Sequence, residues 1–379
     1  MSQWKIPLFD SDYDQNEIDA VVSVLRSRWL TMGEMTHQFE TQFCNEIRVK
    51  HGFAVSNCTT ALHLANLVLD IGPGDEVIVP SLTFVASVNS ILYAGATPIF
   101  ADVVSEDDWT IAPDDIERKI SPRTKAILVV HYAGYPCHMD EIMTLAQQYH
   151  VAVIEDAAHA PGAWLNGRAC GAFGDCGCFS FFSNKNLATG EGGMIVTNRD
   201  DLAEKIKLAR SHGMTSLTLD RYKGHSYSYD VVALGYNYRP TEITSALGLI
   251  QLAKLKAKNE RRKELWQYYQ QQLADIPGIK IPFLHHPGSS SYHIFPILLA
   301  SDLDRTRFME FLKQHGIQTS IHYPPVHRFS YHQRYYQANH PLPKTEDIAQ
   351  REVTLPLYPH LSFEQIQYIT DVIKKFVMG

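Results

Sequence analysis

The sequence has no excess of positive charge. Its 34 lysines and arginines stand against 41 aspartates and glutamates, a formal charge of −7, which argues against a nucleic-acid or anionic-membrane partner. No uninterrupted apolar run reaches the length of a membrane span. The opening stretch "MSQWKIPLFDSDYDQ" has neither the basic start nor the apolar centre of a secretion signal, so the predicted compartment is the cytoplasm. Cysteine is scarce, and six in 379 residues do not build a disulfide framework. Cys170, Cys176 and Cys178 form a C-x5-C-x-C group that lacks a paired CxxC and a convincing fourth ligand. They read as buried thiols, and no metal site is predicted. Neither GxGxxG nor GxxxxGK[ST] occurs, which removes the usual support for a dinucleotide or P-loop nucleotide site.

What is present is a rhythm. After two stretches of helical spacing at 15–29 and 36–47, short apolar runs alternate with amphipathic segments: "FAVSN", "EVIVP", "PIFADV", "KAILVVHYAG" and "VAVIEDAA", separated by predicted helices near 60–70, 83–93 and 139–149. This is the pattern of an α/β fold with a mostly parallel sheet covered by helices. "CGCFSFF" and "GGMIVTN" read as two further strands. A polar, tyrosine- and histidine-rich stretch from 212 to 240 is too long for a simple connector, and such loops carry sites or interfaces. A long polar helix near 242–274, with room for one break, leads to a smaller α+β region containing "IKIPFL", "YHIFPILLA" and helices near 302–315 and 362–377. The predicted division is a large domain over 1–250 and a smaller one over 251–379.

In open α/β sheets, ligands gather at the carboxyl ends of the strands. Four loops there carry chemistry. "SNCTTALHLA" puts Ser56, Cys58, Thr59 and Thr60 at a helix start, where free N–H groups and hydroxyls make an anion site; plain helix capping accounts for the same residues. Glu155 and Asp156 end a buried strand, where a carboxylate needs a cation or several donors. That cation can be a protonated ring nitrogen, or the group can serve as a cap or structural ion pair. His159 follows three residues later. Phe84 in "PSLTF" offers a flat face to a ring or simply fills core. Lys185 stands beside an asparagine in "SFFSNKNLATGEGG". An exposed lysine would be protonated and inert near neutral pH, whereas one buried beside a cation is nucleophilic and works as a general base. The glycines that follow allow the backbone to pass close to a ligand.

Taken together, these segments resemble the DegT/DnrJ/EryC1/StrS family of sugar-nucleotide aminotransferases, on the aspartate-aminotransferase-like (fold type I) scaffold of pyridoxal-phosphate enzymes. The likeness runs from "IPLFDSDYDQNEIDAV" through the four loops and "LGYNYRPTEITSALGLIQL" to "IHYPPVH" and "LPLYPHLS". It implies pyridoxal 5'-phosphate as cofactor, with pyridoxamine 5'-phosphate as the intermediate form. It implies that Lys185 forms the Schiff base, Asp156 pairs with the pyridine nitrogen, Phe84 stacks on the ring, and His159 lies near the 3-hydroxyl. Cys58, Thr59 and Ser180 are implied for the phosphate cup. Many relatives have glycine at the position of Cys58 and glutamine at that of His159. The loop containing "GYNYR" is implied to cross a homodimer interface, so that Asn237 reaches the neighbour's phosphate and active sites are shared.

Relatives that replace the lysine with histidine remove a hydroxyl, so Lys185 favours amine transfer. The implied reaction moves an amino group from L-glutamate, or L-glutamine, to a keto-sugar of a nucleotide-sugar. Arg221, Tyr222, Lys223 and His225, with His322 and Tyr323 opposite, are the residues expected to meet that substrate; a polar surface or interface accounts for them equally. Two other readings remain open from sequence: amination of a carbocyclic ketone in an aminocyclitol pathway, and a cofactor-binding regulatory protein without turnover.

Overall fold

The computed structural model describes residues 4–216, 224, 228–335 and 341–379. Helices α1 (Gln15–Ser27) and α2 (Glu34–Ile47) precede the alternating region. That region runs β1 (His51–Val55), α3 (Cys58–Val68), β2 (Glu76–Pro80), α4 (Val85–Tyr93), β3 (Thr97–Ala101), the hairpin β4 (Val103–Ser105) and β5 (Asp108–Ile111), α5 (Pro113–Lys119), β6 (Thr124–Val130), α6 (Met139–Tyr149) and β7 (Ala152–Asp156). A small hairpin of β8 (Trp164–Leu165) and β9 (Arg168–Ala169) comes next, followed by β10 (Cys176–Ser180), β11 (Gly193–Thr197) and α7 (Asp200–Ala209).

Seven strands form one sheet in the order β1-β11-β10-β7-β6-β2-β3. The pairs from β10 to β3 are parallel, and β11 runs antiparallel to both of its neighbours. Helices bury both faces, and β2, β10 and β11 are buried at every residue. This explains why such strands read as continuous apolar runs rather than alternating ones. Because β11 is reversed, β1 points the same way as β10. The carboxyl ends of β1, β2, β7 and β10 therefore open on one edge, and the four loops singled out above leave from them.

The chain then enters α8 (Glu242–Leu273), begun by a capping box at Thr241. It runs unbroken for 32 residues, across position 250 and without the break allowed by the sequence. Its far end contributes Leu265, Trp266, Tyr269 and Leu273 to a second core. That core also takes in a three-stranded antiparallel sheet of β12 (Ile279–Lys280), β13 (Phe295–Leu299) and β14 (Glu352–Leu355). Helices α9 (Arg305–Gln314), α10 (Pro343–Arg351) and α11 (Phe363–Met378) complete this part. The amino-terminal segment returns to it: Ile6 bridges Ile317 and is fully buried.

Two expectations change here. "IKIPFL" contributes only two strand residues, because Pro282 offers no N–H to a ladder and Phe283 turns away at φ 64°. The strand β14 was not predicted; it is four residues long, and its pairing with β13 joins segments more than 50 residues apart. Among the described residues no helix is long and apolar enough to cross a membrane.

Candidate active site

The loops at the sheet edge enclose a cavity of about 530 Å³ lined by Cys58, Thr59, Phe84, Asp156, His159, Ser180, Lys185, His322 and Tyr323, among others. Six segments of the chain meet there, around 57–62, 83–86, 130, 156–159, 180–191 and 322–323.

At the start of α3 the cap is present, and it does not use the first two N–H groups of the helix. Asn57 is the N-cap, and its side chain accepts the Thr60 N–H at 2.9 Å. Cys58 and Thr59 occupy the first two helical positions, where no i−4 carbonyl exists for their N–H groups. Their N–H groups therefore remain for a ligand at the positive end of the helix. Ser180, at the end of β10, lines the same side of the cavity. This cradle depends on Gly193. A Cβ there would lie 2.5 Å from the Asn57 carbonyl carbon and 2.7 Å from the Cys58 nitrogen, and neither backbone atom can yield without moving the first turn of α3. The Gly193→Ala protein is expected to bind pyridoxal phosphate at least about tenfold more weakly, since each lost charge-assisted hydrogen bond is worth about 1.5–3 kcal/mol. Fluorescence titration of the apoprotein checks this, and an unchanged affinity would remove the α3 N-terminus from the phosphate site.

The structure separates the two carboxylates that end β7. Glu155 turns away from the cavity and is fully used: it accepts from Gly171 N–H (2.7 Å), Phe173 N–H (2.6 Å) and Gly174 N–H (2.7 Å), and faces His131 Nε2 at 2.9 Å. It holds the backbone of 171–174 behind the sheet. Asp156, on the opposite side of the strand, faces the cavity. Ser87 Oγ donates to its Oδ2 at 2.7 Å and the Ala158 N–H to its Oδ1 at 3.1 Å. Burial nevertheless pushes the Asp156 carboxyl above the ordinary range, the two hydrogen bonds and Lys185 opposing that shift. A carboxylate held this way is stabilised by a cation placed against it.

Lys185 sits on a loop pinned at both ends. Its own N–H donates to Phe182 O (2.8 Å), Thr189 N–H to Phe181 O (2.8 Å), and Phe181 N–H to Gly192 O (2.9 Å). Burial draws the amine down to about 8, with Asp156 opposing the shift. A substantial fraction is thus neutral near physiological pH, as the covalent reading of this lysine requires.

His159 accepts the Ala133 N–H at Nδ1 (3.3 Å), so the neutral ring carries its proton on Nε2 and donates it to the Tyr323 oxygen at 2.9 Å. Burial and the nearby Lys185 hold its pKa well below the usual histidine value. The phenol proton of Tyr323 is then left for an acceptor in the cavity. His322 is set by a similar chain. The Thr354 hydroxyl donates to Glu352 (2.6 Å) and so accepts from His322 Nδ1–H (2.8 Å). Burial keeps His322 neutral by drawing it down to about 3, and raises Glu352 to about 7. Phe84 forms the outer rim, 57% exposed, its ring centroid 5.9 Å from that of Tyr323.

Every sequence-predicted cofactor residue but one is therefore in or on this cavity. The exception is Asn237, exposed on the loop after α7 and bridged to Ser211. Arg221, Tyr222, Lys223 and His225 lie outside the described residues. Sequence reasoning missed Ser87, which orients Asp156 from one turn beyond Phe84, and His293, whose Nε2 lies 3.4 Å from Lys185 Nζ. The first was accessible from the spacing within α4; the second is 108 residues from Lys185 and has no local signature.

The residues present fit the group implied by the sequence: an anion cradle, a buried carboxylate for a ring cation, aromatic faces and an amine with lowered pKa share one cavity. Comparison with known proteins agrees. The chain is 38% identical to the spore coat polysaccharide biosynthesis protein SpsC of Bacillus subtilis, over 99% of this chain and 97% of that one. Its fold superposes on Helicobacter pylori PseC, an aminotransferase involved in the biosynthesis of pseudoaminic acid, with a TM-score of 0.91, 31% identity and coverage of 98% and 99%. A putative sugar aminotransferase from Streptococcus pneumoniae, solved in its PLP form, matches with a TM-score of 0.92 and 28% identity, covering 98% of both chains. The family model for DegT/DnrJ/EryC1/StrS aminotransferases spans residues 11–374. With that model covering nearly the whole chain and a relative 38% identical along its length, this protein belongs to the DegT/DnrJ/EryC1/StrS aminotransferase family.

Proposed function

We propose that the protein is a pyridoxal-phosphate aminotransferase that carries an amino group from L-glutamate to the keto group of a nucleotide-linked sugar. The observation that carries this reading is the pairing, in one cavity, of a buried Lys185 amine drawn to about 8 with the buried carboxylate of Asp156. The saccharide class is supported by the relatives, whose names place them in polysaccharide and sugar biosynthesis.

When bound, the cofactor supplies an aldehyde that accepts the amine and a ring that takes up electron density. The chain does the rest. The Cys58 and Thr59 N–H groups and the Ser180 hydroxyl would hold its phosphate. Asp156 would keep a proton on the ring nitrogen, its own ionised form being favoured by that cation. Lys185 Nζ, as a free amine, would take the α-proton from the amino acid and return it across the bridging nitrogen to the carbon on its other side; with the keto-sugar it would move the proton in the opposite direction. Tyr323 and the neutral rings of His159 and His322 offer fixed donors and acceptors to the reacting groups.

The active form in this reading is a homodimer in the cytoplasm. The loop leading to Asn237 carries Tyr229, Val231, Val232 and Leu234, all exposed and the last by 84%. An apolar group of this kind is characteristic of a surface covered by a partner. Asn237 then reaches the phosphate of the neighbouring site.

Purified protein incubated with pyridoxal phosphate, L-glutamate and a panel of keto-sugar nucleotides is expected to release 2-oxoglutarate and to give a product with the mass of an amino-sugar nucleotide. No amination across the sugar panel, with turnover of a cyclic polyol ketone instead, would replace the sugar with a carbocycle. No amination of either would remove the transferase reading.

A further inference from the structure

The orientation of the Lys185 amine is set by a chain of side chains that begins at two backbone carbonyls. A carbonyl oxygen can only accept, so it fixes which end of an amide faces it. Pro161 O accepts from Asn259 Nδ2 at 2.9 Å, which turns Asn259 Oδ1 toward Asn186. Asn186 Nδ2 donates to that oxygen at 2.8 Å and to Ser291 O at 2.7 Å, so both of its protons are used. Asn186 Oδ1 is therefore the atom that meets His293 Nδ1 at 2.9 Å, and Nδ1 must carry a proton.

His293 is buried and 3% exposed, with the His159 ring 4.4 Å away between centroids and the Arg262 guanidinium bonded to its backbone carbonyl at 3.2 Å. Burial, Lys185, His159, Arg262 and His322 all oppose a second proton on the ring. Its Nε2 consequently presents a lone pair, 3.4 Å from Lys185 Nζ. We infer that His293 is a positioning residue for Lys185: its unprotonated Nε2, fixed in that tautomer by Asn186 and Asn259, accepts one N–H of the amine and turns the amine lone pair into the cavity. His293 has no proton on Nε2 to give, so it holds the amine and does not exchange protons with it. A neutral amine has two N–H bonds and one lone pair. Fixing one bond removes free rotation about Cε–Nζ, which is the orientation term that proton transfer between the two carbons flanking the bridging nitrogen needs. Asn186 directly follows Lys185 in sequence, so the reactive residue and the start of its support are adjacent on one loop while His293 comes from the segment before β13.

The inference rests on Lys185 being the amine that engages the cofactor, and is independent of the sugar. In the apoprotein, the pH dependence of Lys185 modification by acetic anhydride, read by peptide mass spectrometry, is expected to have its midpoint near about 8. His293→Leu removes the acceptor and should move that midpoint down, because the ammonium loses a partner. It should also slow the single-turnover reaction with L-glutamate about 10²-fold with little change in KM. His293→Gln, which returns an oxygen near the position of Nε2, should recover most of both. A midpoint unmoved in His293→Leu, with single-turnover rates within about twofold of the parent protein, overturns the inference. If the leucine protein does not fold, nitrogen NMR of histidine-labelled wild-type apoprotein decides: a proton on Nδ1 of His293 supports the positioning role and a proton on Nε2 overturns it. Borohydride mapping of the loaded enzyme separates this from the proposed function, because a label on another lysine would remove the role of Lys185 while leaving the tautomer as found.

Discussion

The Lys185→Ala protein is expected to fold, to bind pyridoxal phosphate without the visible absorbance of a lysine-linked cofactor, and to lose turnover by at least roughly 10²–10⁴-fold, the usual contribution of a positioned acid–base group. Folding should survive because the loop is held by backbone bonds at Phe181, Phe182 and Thr189 and by the buried Leu187, none of which uses the lysine side chain. Removing the amine also removes an ammonium that is costly in a buried site, since burial is the largest influence on its pKa. The folded pKa lies below the unfolded one, so the charged lysine lowers stability near neutral pH, and alanine relieves that. The apoprotein should accordingly melt no lower than the parent in circular dichroism. A borohydride-reducible linkage that persists in Lys185→Ala would show that a different lysine carries the cofactor.

Asp156→Asn is the second large effect. Turnover should fall roughly 10²–10³-fold, the range for losing one preorganised electrostatic partner of a reacting group. The geometry should persist: asparagine keeps an acceptor for the Ala158 N–H, and Ser87 can reverse its hydroxyl toward an amide because Thr83 Oγ1 lies 2.8 Å on its other side. The stability consequence runs opposite to the catalytic one. The folded pKa of Asp156 stands above its unfolded value. Stability from this group is thus present below the unfolded pKa and lost as pH rises through the folded one. At neutral pH the apoprotein carries an ionisation cost that asparagine removes, so apo Asp156→Asn should melt at or above the parent temperature while its activity collapses. Loss of activity together with a lower melting temperature would instead make Asp156 a structural group.

Much of this was readable in one dimension because the fold is built from local periodicities. Fully buried strands such as β2 and β10 announce themselves as continuous apolar runs, and each ends in a loop that lines the cavity. The chemistry at a loop is legible when the residue type is improbable for its surroundings, as with Lys185 and Asp156 beside buried strands. For the adjacent pair Glu155 and Asp156, the alternation of the strand places the two side chains on opposite sides, Asp156 toward the cavity. Successive side chains point to opposite faces, and only the tertiary environment shows that the 171–174 backbone consumes one of them. Short elements failed for the complementary reason. Neither β12 nor β14 has enough residues for a pattern, and their existence depends on pairing with β13.

By itself the sequence determined the α/β class, the identity of the cofactor lysine and carboxylate as candidates, and the family order of the motifs, because each is carried by local spacing. Only the tertiary structure decided that Glu155 is consumed by the 171–174 backbone, that the Asn57 cap leaves the Cys58 and Thr59 N–H groups facing the cavity, and that His293 stands against Lys185. These are consequences of which groups have already spent their hydrogen bonds elsewhere. For His293 that accounting crosses 108 residues of chain and exists only once the sheet has brought the loops to one edge.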